Sequence, residues 1–219
     1  MQTFSTKSVI QESQVFGPTG SFMWYLNTQN INIEAHENYQ KRSYRNRYNI
    51  LTTNGPLTLT IPLAKGKNQQ MPIQDVKISY EEDWTRSHLQ TIKSSYGNSP
   101  YFEYYFYQIE SLMNQKYQHL FEFNMASLSL ILKLLKITKN ISLTTTYISL
   151  YDQVDALDLR QFDYLEMTYS SYEQVWNQKF GFQKNMSILD LLFCKGPESS
   201  IILKESLIQN IQSNKSFIS

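Results

Sequence analysis

Leu57, Leu59, Ile61 and Leu63 alternate with Thr58, Thr60 and Pro62, whereas Trp84, His88 and Ile92 stand four residues apart. Side chains alternate faces with a period of two on a strand and return about every 3.6 residues on a helix. The apolar pattern therefore changes period near residue 83. That change predicts a mixed α/β (α+β) fold, with a strand-rich N-terminal half containing a hairpin and a helix-rich C-terminal half.

Several local signals refine this expectation. Tyr48 to Thr53 and Leu57 to Leu63 flank Asn54-Gly55, a dipeptide suited to a type I′ hairpin turn, with Pro56 loosening the ideal geometry. Ile31-Asn32-Ile33, Val76-Lys77-Ile78 and Thr144 to Ile148 read as further strands. Asp83 reads as the N-cap of a helix ending at Gly97, with the glycine in the C′ position. Ser99-Pro100 predicts the start of a second helix running from Tyr101 to Lys116, and Gln118 to Lys136 a third. Ser187-Ile188-Leu189-Asp190 has the spacing of a capping box opening a short helix that stops at Gly196-Pro197. Ser199 to Ile211 completes the helical half. No repeat, low-complexity tract or linker divides residues 1–219, so one domain is expected, with residues 212–219 as a flexible tail.

Composition bounds the function. Of 219 residues, 41% are hydrophobic and 18% charged, which excludes an intrinsically disordered chain. Twenty Lys and Arg balance 19 Asp and Glu, leaving no overall field to favour nucleic acid or a membrane surface. The apolar run Leu128 to Ile137 is interrupted by Lys133 and Lys136 and is too short to span a bilayer. With no signal-peptide pattern in residues 1–17, a cytoplasmic protein is expected. The lone Cys194 lies in an apolar run and reads as a buried, inert thiol.

Chemistry concentrates in residues 36–47, His-Glu-Asn-Tyr-Gln-Lys-Arg-Ser-Tyr-Arg-Asn-Arg. Three of the five arginines of the chain, Arg42, Arg45 and Arg47, fall here beside Lys41. The planar donor fork of arginine suits carboxylate or phosphate. The segment therefore reads as an anion site, against the alternative of a solvated basic run paired with Glu81, Glu82 and Asp83. His88 is a candidate acid or base, or equally a histidine hydrogen-bonded at a packing interface. His36 is a second candidate. No HxxxH, HxH or HExxH spacing is present, so no metal is expected. GxSxG, P-loop and GxGxxG motifs are likewise absent, and no cofactor is expected. Tyr101 to Tyr107 holds more aromatic rings than one buried stripe needs, and some are expected to line a groove able to stack a sugar or base.

The long motif His36 to Arg47, then Asn54-Gly55-Pro56-Leu57, Ile61-Pro62-Leu63, Trp84, His88, Tyr96 and Ser99-Pro100-Tyr101-Phe102, resembles the WbqC-like family. So does the C-terminal pattern of Tyr172, Gln174-Val175-Trp176, Gly181-Phe182, Asn185, Ser187 to Phe193 and Gly196-Pro197. The resemblance runs from about residue 13 to 200 and is of the type common in Bacteroidota. Many members open with His-Gln-Pro-x-Tyr-x-Pro; here Ser13-Gln14-Val15-Phe16-Gly17-Pro18 keeps Gln14 and Pro18 and lacks the histidine. The resemblance implies a role in O-antigen or related surface-glycan biosynthesis, with transfer of an acyl or aminoacyl group to an amino sugar or nucleotide-linked sugar. In that reading Lys41, Arg42, Arg45 and Arg47, with Tyr39, Gln40 and Asn46, neutralise an anionic substrate such as a sugar phosphate, nucleotide sugar or acyl carrier. Trp84, Tyr96 and Tyr101 pack on the sugar or base, and His88 or His36 acts as general base. The alternative is a non-catalytic module binding an anion or a partner in an envelope pathway.

Overall fold

The computed structural model describes residues 6–66, 68, 70–147, 156–160 and 162–213. Four strands, β1 (Thr6–Glu12), β2 (Thr28–Glu34), β5 (Asn140–Leu143) and β6 (Ala156–Asp158), form a parallel sheet in the order β5-β2-β1-β6. β3 (Arg47–Thr52) and β4 (Gly55–Thr60) form a separate antiparallel ribbon. Helix α1 (Thr19–Leu26) makes the crossover from β1 to β2, and the ribbon and helices α2 (Trp84–Tyr96), α3 (Phe102–Met113) and α4 (Leu120–Leu134) intervene before β5. After β6 come α5 (Asn177–Phe180), α6 (Ile188–Lys195) and α7 (Ser199–Ser213).

β1 is central, and Val9, Ile10, Gln11 and Glu12 are all buried. A parallel strand covered on both faces needs no polar–apolar alternation. This explains why β1 carried no clear strand signal in the sequence. Successive connections run outward from β1 to β2 on one side, while β6 joins β1 on the other. The gap between the C-terminal ends of β1 and β6 is therefore a topological switch point, the usual location of ligand sites in open α/β sheets. One hydrophobic core extends from Val9 through Ile92 and Phe123 to Leu207.

The mixed α/β class agrees with expectation, but several local readings need correction. Residues Thr53 and Asn54 both keep negative φ, so the hairpin turn is not type I′; only Gly55 is left-handed, at φ 102°. The Thr52 hydroxyl closes the turn by donating to Gly55 O at 2.8 Å and accepting from Asn54 N at 3.2 Å. Val76 to Ile78 is extended but forms only isolated bridges, to Leu63 on one side and His119 on the other, because neither neighbour stays extended long enough for a ladder. Ser99 does not cap α3: its hydroxyl donates back to Tyr96 O at 2.6 Å, finishing α2, and α3 begins at Phe102. Gly97 ends α2 with helical φ, not left-handed φ. The strand expected at Thr144 to Ile148 lies earlier, at Asn140–Leu143, since its partner β2 ends at Glu34; Ile148 is outside the described residues. Gln212 and Ser213 belong to α7 rather than to a tail, and residues 214–219 are outside the description.

Candidate functional site

Four polar residues, Gln11-Glu12-Ser13-Gln14, follow Ile10 at the C-terminal end of β1, and all four are buried. The Glu12 carboxylate is gripped between two amides. Gln11 Nε2 donates to Oε2 at 2.5 Å and Gln14 Nε2 donates to Oε1 at 2.8 Å. Each amide is itself oriented by a hydroxyl. Tyr164 donates to Gln11 Oε1 at 2.7 Å, and Ser21, on α1, donates to Gln14 Oε1 at 2.9 Å. Gly17 leaves room for this arrangement, since a Cβ there would collide with Gln14 Oε1. Burial raises the Glu12 pKa to about 7, against the opposing pull of nearby Arg45 and the Gln14 hydrogen bond.

Fixed charges lie near this carboxyl, on the loop after β2, and at the ends of β2 and β6. Glu37 and Arg45, both buried, form a two-pronged ion pair, with Arg45 Nε donating to Glu37 Oε1 at 2.8 Å and Nη2 donating to Oε2. Fully buried Glu34 accepts from the backbone N–H of His36 at 2.9 Å and from the Thr144 hydroxyl at 2.7 Å, with Arg160 3.5 Å away. Arg160 also grips Asp158, at the end of β6, through Nη2 at 2.6 Å. These groups surround the switch point between β1 and β6. Under them, Asn124 of α4 donates to Arg45 O at 2.8 Å and to the Ser13 hydroxyl at 3.2 Å.

The N-terminus of α1 points no free amides at a ligand. Thr19 N–H donates to Met186 O at 2.9 Å, and Gly20 N–H to Asn185 Oδ1 at 3.3 Å. A helix N-terminus attracts phosphate through free N–H groups, and here Asn185 and Met186 occupy that role. Beside Glu12 is a small cavity of about 10 Å³, lined by Glu12, Gln14 and Ser127 and by the rings of Phe16, Phe22 and Tyr25.

The residues singled out in the sequence fall into three groups. Tyr39, Arg45 and Asn46 form the internal frame of the loop after β2: Tyr39 Oη donates to Asn46 Oδ1 at 2.9 Å, and Asn46 Nδ2 donates to Ile61 O at 3.0 Å. His36, Gln40, Lys41 and Arg42 are exposed on the same loop, with Arg42 left-handed at φ 59°. Arg47 is half-buried at the head of β3, and its Nε has no hydrogen-bond partner. A third set is held on other elements. His88 is buried on α2, where Nδ1 meets Tyr48 Oη at 3.0 Å and the ring lies edge-on to Trp84. Burial lowers its pKa to about 4, so the imidazole is neutral at pH 7. Trp84 is core, stacked on Tyr80. Tyr96 is buried between Leu51 N–H and Asp190, and half-buried Tyr101 packs against Gly196.

Asp190 corrects another reading. Its carboxylate does not close a capping box, because Ser187 N–H goes instead to Asn49 O. Asp190 is fully buried and accepts from Tyr172 Oη at 2.6 Å, Tyr96 Oη at 2.8 Å and Gln174 Nε2 at 2.9 Å. Ser187 does cap α6, accepting from Leu189 N–H at 3.3 Å. Cys194 is buried nearby, and burial pushes its thiol pKa up.

Glu12 was not among the residues singled out in the sequence, because nothing within the polar run Gln11-Glu12-Ser13-Gln14 marks it as buried. The available signal was the run's place between Ile10 and Val15. Among the described residues no group of three or more His, Cys, Asp or Glu is arranged to hold a metal ion, and no helix is long and apolar enough to cross a membrane.

Comparison with known proteins places the chain in a wider group. The chain is 26% identical over 198 residues to the uncharacterized protein Rv1507c of Mycobacterium tuberculosis, covering 76% of this chain and 84% of that one. No solved structure matches. Residues 17–161 and 156–202 match the model of the WbqC-like protein family, a span that takes in the loop after β2, the ribbon, α1–α4 and α6. With most of its length accounted for in this way, the chain belongs to the WbqC-like protein family.

Proposed function

We propose that the protein is a cytoplasmic transferase of surface-glycan biosynthesis that moves an acyl or aminoacyl group to an amino sugar or nucleotide-linked sugar, with Glu12 as general base. The supporting observation is a carboxyl group at the switch point, clamped by Gln11 and Gln14 and raised to about 7. A base is most effective when its pKa lies near the working pH. In this reading the acceptor N–H or O–H attacks the acyl carbon, its proton passes to Glu12, and the bond to the donor's leaving group breaks. Glu12 takes the role that the sequence suggested for His88, whose Nδ1 is already engaged by Tyr48. Lys41 and Arg42 are the exposed cations left to meet an anionic donor, since Arg45 is paired with Glu37.

The second reading, a non-catalytic anion-binding module, is favoured by Arg42. A left-handed non-glycine residue costs roughly 1 kcal/mol or more. The loop holds Arg42 so at its surface while Glu37–Arg45 and Asn46–Ile61 brace its base.

One experiment separates the two. Acyl carriers and nucleotide sugars are screened as donors with amino sugars as acceptors, comparing the wild type with Glu12→Gln. The transferase reading expects wild-type turnover to rise through pH 7, and Glu12→Gln to lower kcat by about 10²–10⁴ while donor affinity persists. Donor binding without turnover in the wild type, abolished by Arg42→Ala, establishes the module instead.

A further inference from the structure

Like Asp190, and unlike Glu37 and Glu34, buried Glu12 has no cation within ion-pair distance among the described residues. Glu37 has Arg45, Glu34 and Asp158 share Arg160, and Asp190 holds two phenols and an amide. The Glu12 carboxylate accepts from the neutral amides of Gln11 and Gln14. The charged or titratable groups near it are Arg45 and Glu37 on the loop after β2, Tyr25 on α1, and Tyr44 and Tyr164. Arg45 is turned toward Glu37, and among the described residues no Lys, Arg or His nitrogen lies within 4 Å of the Glu12 carboxylate.

The cavity beside Glu12 has matching properties. About 10 Å³ admits roughly one water-sized group. A phosphate or carboxylate is too large. Two of the donors on its wall are engaged elsewhere, Gln14 Nε2 on Glu12 and the Ser127 hydroxyl on Asn124 O at 2.8 Å, which leaves the Tyr25 phenol as the remaining neutral donor. What the wall otherwise offers is acceptors, the Glu12 carboxylate, Ser127 Oγ and Gln14 Oε1, flanked by the aromatic rings of Phe16, Phe22 and Tyr25. A group that only donates, carries one positive charge and has the size of water satisfies all of these conditions.

We propose that this cavity is an ammonium-binding site, in which Glu12 is the counterion of a single NH₄⁺ ion or of the –NH₃⁺ group of an amine-bearing ligand. The inference deepens the transferase reading, on which it rests for the chemistry after binding: a bound ammonium passes one proton to the Glu12 carboxylate to become the attacking amine, and the second proton, lost on attack, leaves with the donor's departing group. The site favours an amine over a hydroxyl acceptor because a neutral hydroxyl leaves the buried carboxylate without a counterion.

The test is thermal unfolding of the wild-type protein at pH 8 and constant ionic strength in ammonium, methylammonium, sodium or tetramethylammonium chloride. Ammonium and methylammonium should raise Tm by roughly 5–10 °C over sodium at a hundredfold their Kd, and tetramethylammonium should not. The rise should shrink at pH 5.5, where Glu12 is protonated, and vanish in Glu12→Gln. If that variant does not fold, Ser127→Val, which fills the cavity, takes its place. Equal Tm in ammonium and sodium, or an ammonium effect retained in both variants, overturns the proposal. Glucosamine distinguishes the sources: a shift like that of methylammonium assigns the site to an amine-bearing ligand, and its absence assigns it to the small ions. An ammonium shift in a protein without transfer activity keeps this site and removes the general-base reading, whereas turnover without the shift does the reverse.

Discussion

Glu12 and His88 are buried ionisable residues displaced in opposite directions, and both oppose their charged forms. Glu12 rises from 4.5 to about 7, so between these values the folded state holds a proton that the unfolded state has released. Its contribution to stability therefore falls as pH rises from about 4.5 to 7. His88 drops from 6.5 to about 4, so the unfolded state binds the extra proton, and its contribution is lost as pH falls through that window. Each displacement corresponds to about 3 kcal/mol as an upper figure. Urea unfolding of single variants from pH 4 to 8 should separate the two. Relative to wild type, Glu12→Gln should become progressively more stable as pH rises toward 7, and His88→Gln progressively more stable as pH falls toward 4. Parallel profiles for wild type and both variants would contradict this account. At this scale the sequence showed that residues 36–47 are rich in chemistry, but not which guanidinium is free. Arg42 and Arg45 look alike in a string of letters; only the buried Glu37 distinguishes them.

Helix α6 shows how an element is read correctly for an incomplete reason. Ser187 and Gly196 mark its ends, and both marks hold, with Ser187 accepting from Leu189 N–H and Gly196 left-handed at φ 49°. The spacing of Ser187 and Asp190 suggested a local capping box, yet Asp190 ties α6 to α2 through Tyr96 and to the segment before α5 through Tyr172 and Gln174. Through Tyr96 Oη, which accepts from Leu51 N–H at 2.9 Å, the same cluster reaches β3. Asp190→Ala should therefore strand three buried donors. Each stranded donor costs about 1–3 kcal/mol, so a loss of roughly 3–5 kcal/mol is expected in chemical denaturation. A loss below about 1 kcal/mol, the level of a missing cap, would restore the capping-box reading. The hairpin, α2 and α4 were legible because their signals are local: alternation, the Asp83 cap and a leucine stripe. Strands β1, β5 and β6 were not, because a short parallel strand is recognised by its neighbours rather than by its own residues.

For the whole molecule, a single core joins the parallel sheet, the ribbon and the helices from Val9 to Leu207. Such a core predicts one cooperative unfolding transition. Far-UV circular dichroism and the fluorescence of buried Trp24 and Trp84 should give coincident denaturation midpoints; separated midpoints would mean that the ribbon or a helical layer unfolds on its own. The sequence by itself determined the mixed α/β class, the positions of the hairpin and most helices, and the resemblance to the WbqC-like family. These rest on spacing along the chain and on motifs of adjacent residues. Only the tertiary structure decided the order β5-β2-β1-β6, the ion pairing of Arg45, the neutral His88 and the place of Glu12 at the switch point. The physical reason is that burial and charge are properties of neighbours. Glu12 is brought to its site by β6 and α4, more than a hundred residues away along the chain, and no local pattern encodes what those elements exclude or leave unpaired.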